Sequence, residues 1–211
     1  MKKYMRYVAY LVVALMFHPA LAGSYEDFFR AVNVDNDRAV AALLSRGFDP
    51  NAPDEKGQVG LFLALRDGSP KVVAALLAHP QVKIDAPNAS NETPVMMAAL
   101  RGEMEWVARL LDRGAKINRP GWSPLHYAAA GPEPQVVALL LDRGAQMEAS
   151  SPNRTTPLMM AARYGDERSA NLLLARGASP KARNDLGLTA ADFARQGGRE
   201  ALAARLEQAA R

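Results

Sequence analysis

An all-α stack of about six helix-turn-helix repeats is what this sequence predicts, and the reasons can be seen in one stretch, residues 123–145. Ser123 is a residue that can cap a helix through its hydroxyl, and Pro124 fits the first helical turn, where its missing N–H leaves no bond unmade. Ala128 and Ala129 are small enough for a second helix to approach closely. Val136, Val137, Leu140 and Leu141 then recur at the three-and-four spacing of one apolar face. Gly144 ends that second helix in the left-handed conformation that a side chain resists.

The pattern is copied along the chain. Thr93-Pro94-Val95-Met96 leads through Ala98-Ala99 and Gly102 to a second helix ending at Gly114. Thr156-Pro157-Leu158-Met159 leads through Ala161-Ala162 and Gly165 to one ending at Gly177. Weaker copies open at Val59 and Thr189. The openings at 59, 93, 123, 156 and 189 are spaced by 34, 30, 33 and 33 residues. A period near 33 carrying Ser-Pro-Leu-His at 123–126 resembles the ankyrin-repeat family over essentially everything after residue 22. The resemblance implies a solenoid with β-hairpin or loop fingers over residues 23–211. Its repeats run at about 24–51, 52–86, 87–118, 119–148, 149–181 and 182–211.

Ahead of the repeats, Lys2, Lys3 and Arg6 precede an apolar run over residues 7–17, too short to span a bilayer as a helix. His18-Pro19 breaks the run, and Ala20-Leu21-Ala22 supplies small residues at the positions a signal peptidase reads. The expectation is a cleavable signal over 1–22, Gly23 as the new terminus, a periplasmic location and no membrane insertion after cleavage. The chain's net charge of +4 includes three positive charges within that segment and no acidic residue there, so the mature part carries +1. No cluster of lysine and arginine interleaved with aromatics remains, which sets nucleic acid aside.

In chain order, Ser24 is expected to cap the first helix. Phe28, Phe29 and Val32, then Val40, Leu43 and Leu44, should face the core, with Glu26, Arg30 and Asp37 on the polar outer face of an end repeat. Repeat two has Val59-Gly60 in place of Thr-Pro and should start its helix less firmly. Repeat four is short: five residues separate Asn118 from Ser123, where eight separate Asp85 from Thr93 and Glu148 from Thr156. Residues 202–207 form a charged terminal helix that closes the stack.

The inventory for catalysis is poor. There is no cysteine, and beyond the signal only His79 and His126, so thiolate metal sites and Cys–His chemistry are excluded and neither metal nor cofactor is expected. In the family that the chain resembles, the histidine at the place of His126 hydrogen-bonds within and between repeat loops. It is replaced by Phe62, Met96, Met159 and Asp192 in the other copies. Asp54-Glu55 and Asp166-Glu167 sit where negative charge suits helix or turn amides, and Asp112-Arg113-Gly114 and Asp142-Arg143-Gly144 are helix ends with arginine near the dipole's negative pole. Met96-Met97, Met159-Met160 and Trp106 are read as core filling.

The resemblance implies binding of another protein through finger tips and the exposed faces of the first helices. Carried over by position, that surface includes Gln58, Arg66, Glu92 and Arg101, then Trp122, and then Asn153, Thr155, Arg163, Tyr164, Leu186 and Leu188. Trp122, Tyr164 and the arginines are the residue types that most often dominate binding energy. Trp122 either fills the gap left by the short hairpin or faces an interface. Thr93, Pro94, Ser123, Pro124, His126, Thr156 and Pro157 are structural openings, and Gly114, Gly144 and Gly177 structural ends. The expected function is a non-enzymatic scaffold for a periplasmic partner. An immunity-like or inhibitory protein, and an accessory to oxidative-stress defence, are the other readings.

Overall fold

A computed structural model describes residues 19–211. The expected signal segment lies outside the described residues as far as residue 18. Twelve helices and no strand occur among the described residues, with one isolated bridge between Pro53 and Val59. They fall into two compact units, one ending at Asn91 and one beginning at Glu92.

In the first unit α1 (Pro19–Asn33) packs on α2 (Asp37–Ser45), and α3 (Gly60–Asp67) on α4 (Pro70–Ala78); α1 lies against α3 and α2 against α4. The first helix does not begin at the expected Ser24 cap. It begins at Pro19, because a proline at a first turn followed by Ala-Leu-Ala is itself a good helix start, and Gly23 weakens the helix without stopping it. Phe28 is fully buried and stacked on Phe48 with ring centroids 4.5 Å apart. That ring occupies the place of a side chain at Gly60, where a Cβ would stand 2.8 Å from it. Repeat two therefore has glycine where other copies have proline, and its capping residue Val59 makes no side-chain bond. Asn51 clamps the repeats together, donating from Nδ2 to the Gln81 carbonyl (2.9 Å) and accepting from the Lys83 N–H (2.6 Å).

The second unit has α5 (Pro94–Leu100), α6 (Met104–Asp112), α7 (Pro124–Ala130), α8 (Pro134–Asp142), α9 (Pro157–Arg163), α10 (Glu167–Ala175), α11 (Ala190–Gln196) and α12 (Glu200–Ala209). The short inner helices α5, α7, α9 and α11 pack in a row, and α6, α8 and α10 form a second row behind them. Asn118 repeats the Asn51 clamp, bonding the Gly144 carbonyl (2.9 Å) and the Gln146 N–H (2.8 Å). The arginines of the helix ends do more than face the dipole: Arg143 reaches Asp112 and Arg176 reaches Asp142, each at 2.8 Å. These pairs are exposed and contribute little each.

Trp106 corrects its core assignment. It is half-buried, and the Arg109 guanidinium sits 4.7 Å from the centre of its ring, because its place on α6 falls beside the buried stripe of Val107 and Leu110. Leu140 is fully buried on α8, between α6 and α10. Leu140→Ala is expected to destabilise the protein by about 3 kcal/mol, read as a lowered denaturant midpoint. An unchanged midpoint would contradict its place in the core.

Candidate protein-binding face

The fingers between repeats are turns organised by one short polar side chain each. Asp54 Oδ1 accepts from the Gln58 N–H (2.7 Å), Ser151 Oγ from the Thr155 N–H (2.9 Å), and Asn184 Oδ1 from the N–H groups of Leu186 (3.0 Å) and Leu188 (2.9 Å). Such self-bonding is what these residue types do in turns. Each of these turns has a left-handed residue three places on, at Gly57, Arg154 and Gly187, as does the turn from Asn88 at Asn91. Two fingers of the second unit are tied directly, the Asp185 N–H donating to the Asn153 carbonyl at 3.0 Å.

Repeat four has no such finger, and Trp122 stands at its root. Its ring meets that of His126 edge to face, 5.2 Å between centroids. The side chain is half-buried, so it both packs on the histidine and keeps a free face. That free face forms one wall of a cavity of about 300 Å³. Met160, Leu188 and Phe193 supply apolar lining, and Tyr164 and Leu186, 54% and 80% exposed, stand at its rim. Arg163 adds the charge. Its Nη1 donates to Gln196 Oε1 (2.7 Å), and its guanidinium lies 5.0 Å from the centre of the Tyr164 ring.

Of the residues assigned to the surface from the sequence, the structure brings together Trp122, Asn153, Thr155, Arg163, Tyr164, Leu186 and Leu188 around this cavity. Thr155 needs correction as a contact residue. It is 1% exposed, because its backbone is drawn inward to bond Ser151 and His126. Glu92 is half-buried and accepts from the Tyr127 hydroxyl (2.9 Å); burial first, then this carboxylate, holds the Tyr127 phenol well above its ordinary range. Arg101 is exposed near Glu103 and does not line the cavity. Gln58 and Arg66 belong to the first unit, where Arg66 donates to Gln58 Oε1 at 2.8 Å. Gln196 lines the cavity without a signal for it in the sequence, and Met160 corrects its core reading: it is half-buried and faces the cavity.

His126 is fully buried. Its Nδ1 accepts from the Ser123 N–H (3.2 Å), so the proton sits on Nε2, which donates to the Thr155 carbonyl at 3.0 Å. Burial pushes the imidazole below its ordinary value, against the opposing pull of the Thr155 and Ala149 carbonyls. It is a neutral joint between repeats. Among the described residues no three histidine, aspartate or glutamate side chains are placed to hold a metal ion.

A family model described as "Ankyrin repeats (3 copies)" matches residues 28–120 and 118–184. A Danio rerio protein named as a palmitoyltransferase, ZDHHC13, is 31% identical over 157 residues, covering 74% of this chain and 20% of that protein. The ankyrin repeat and SAM domain-containing protein 6 of Danio rerio is 33% identical over 70 residues, 33% of this chain and 10% of the relative. The nuclear factor NF-kappa-B p105 subunit of Gallus gallus is 29% identical over 161 residues, 73% and 16% respectively. The chain thus spans a fifth or less of the length of these relatives.

Proposed function

Because the chain belongs to the ankyrin-repeat family, whose repeats bind other proteins, we propose that it is a non-enzymatic scaffold whose partner docks on the finger and inner-helix face of the second unit. The observation that carries this is the cluster around the cavity: Trp122, Tyr164 and Arg163 converge there with an exposed Leu186 at the rim. Aromatic and arginine side chains set around a pocket are the residues that dominate protein interfaces. The partner is met in the periplasm. What supports that reading is the basic start, the short apolar run over 7–17 and the Ala20-Leu21-Ala22 site.

Both parts are tested with protein recovered from a periplasmic fraction. Terminal sequencing is expected to read from Gly23; an intact Met1 would remove the export reading. The processed protein, used as bait, is expected to enrich a partner that a Tyr164→Ala, Leu186→Ala variant of unchanged denaturation midpoint binds on the order of 30-fold or more weakly, about 2 kcal/mol for two rim contacts. Equal binding by the variant would move the binding surface elsewhere.

A further inference from the structure

The cavity on the second unit carries one sign of charge. Arg163 is its one charged lining residue, and no carboxylate lines it. Arg163 has no ion-pair partner among the described residues: its recorded contacts are the Gln196 amide oxygen and the Tyr164 ring. Nε and Nη2 are thus left without a protein acceptor. The one carboxylate on the two adjoining fingers, that of Asp185, is not part of the lining, and Arg154 on the neighbouring finger also lacks an ion-pair partner among the described residues. A guanidinium held against an aromatic ring and bonded to one amide has already lost much of its rotamer freedom. It is therefore prepared to take a carboxylate at little further entropic expense.

We propose, resting on the binding-face reading above, that the partner presents an internal segment in which a bulky apolar residue lies beside an aspartate or glutamate. The apolar side chain enters the cavity between Trp122, Met160, Leu188 and Phe193, and the carboxylate pairs with the free edge of Arg163. The two contacts divide the work. The cavity supplies burial, and Arg163 selects acidic over neutral or basic neighbours, since a charge-assisted pair is about twice as strong as a neutral one and the wrong charge would leave the arginine desolvated and unmatched.

The probes are short synthetic peptides, amidated at the C-terminus, carrying Phe or Leu beside Glu, beside Gln or beside Lys, titrated into the full chain by fluorescence anisotropy with Trp122 and Tyr164 followed by NMR. The Glu set is expected to bind roughly 10-fold more tightly than the Gln set, a difference of about 1.4 kcal/mol, with the Lys set weaker still. Arg163→Gln should erase the difference between Glu and Gln while keeping the demand for the apolar residue, and Arg163→Glu should turn the preference to Lys. Equal affinity for Glu and Gln, no binding by any set, or binding that appears only with a free terminal carboxylate overturns the proposal. Partner capture that still depends on Tyr164 and Leu186 would then show that the acidic inference had failed and the binding face had not. Peptide-induced shifts confined to the first unit would instead remove the binding face itself.

Discussion

Gly165→Ala is expected to destabilise the protein by about 4 kcal/mol or more, enough to abolish a measurable folded baseline in mild denaturant. The reason is the spacing of repeats. A Cβ at Gly165 would stand 1.9 Å from the carbonyl oxygen of Ala129 and 3.1 Å from the Cα of Ala161, so backbone lies on both sides. No rotamer change relieves it. The end of α7 would have to withdraw, yet it is fixed in the same place by the Asp166 N–H, which donates to the Gly131 carbonyl at 3.3 Å. Gly131 repeats the arrangement, its would-be Cβ 2.7 Å from the Leu100 oxygen. Gly144→Ala is the control: its φ of +89° strains any side chain, by roughly 1–2 kcal/mol, but nothing lies within 4 Å of the new methyl. If the midpoint of Gly165→Ala fell no further than that of Gly144→Ala, the close approach of repeats at this point would be wrong.

The contrast between those glycines shows what the sequence conveys and what it conceals. Gly144 is legible as a helix end because a helix stop needs a left-handed residue after an apolar stripe, a purely local demand. Gly165 is legible as a recurring mark but not as a contact, since the oxygen that excludes a side chain belongs to the neighbouring repeat. The same division separates Trp106 from Leu140. Leu140 occupies the stripe and is buried; Trp106 stands in place of an aliphatic residue of a second helix, which suggested a core, but on α6 it falls beside the stripe of Val107 and Leu110. Asn51 and Asn118 each stand four residues after a helix-ending glycine, Gly47 and Gly114, and what they do, bonding the next repeat's backbone through both amide atoms, appears once two repeats are side by side.

The candidate face was readable to the extent that it follows position in the repeat. Trp122, Arg163, Tyr164 and Leu188 fall where the resemblance puts contact residues, and they do converge. Thr155 fails because position alone does not reveal which way a turn faces. Ser151 pulls its N–H inward and His126 takes its carbonyl, so the residue is spent on the joint. Leu186 is the opposite case: position puts it on the surface, and it stands at the rim because Asn184 folds that turn back on itself.

His126→Ala is expected to destabilise the protein by roughly 3–6 kcal/mol, because it opens a hole, leaves the buried Ser123 N–H without a partner and takes from the Thr155 carbonyl one of its two donors, the Ser151 N–H at 3.1 Å remaining. The other repeats supply a graded comparison. In them the sulfur of Met96 accepts from the Thr93 N–H and that of Met159 from the Thr156 N–H, each at 3.4 Å, so methionine keeps the bond within the repeat and forgoes the bond to its neighbour. His126→Met should therefore fall between wild type and alanine. Acid separates the two roles further. The buried ring is held neutral, with its affinity for a proton lowered, whereas the unfolded chain takes up that proton as pH drops below about 6.5. Unfolding thus gains a proton, and stability falls as pH is lowered from about 6.5 towards the folded value, below which this contribution is flat. The carboxylates behave differently and lower down: Asp192, bonded first by the Thr189 N–H and hydroxyl, is held below its ordinary range, and its stabilisation is present above the carboxylate range and lost only as pH falls through it. Stability measured between about pH 7 and pH 5 should accordingly decline in the wild type and much less in His126→Met. Parallel declines would mean that the proton is taken up elsewhere, and that the joint between repeats four and five is not held by a neutral imidazole.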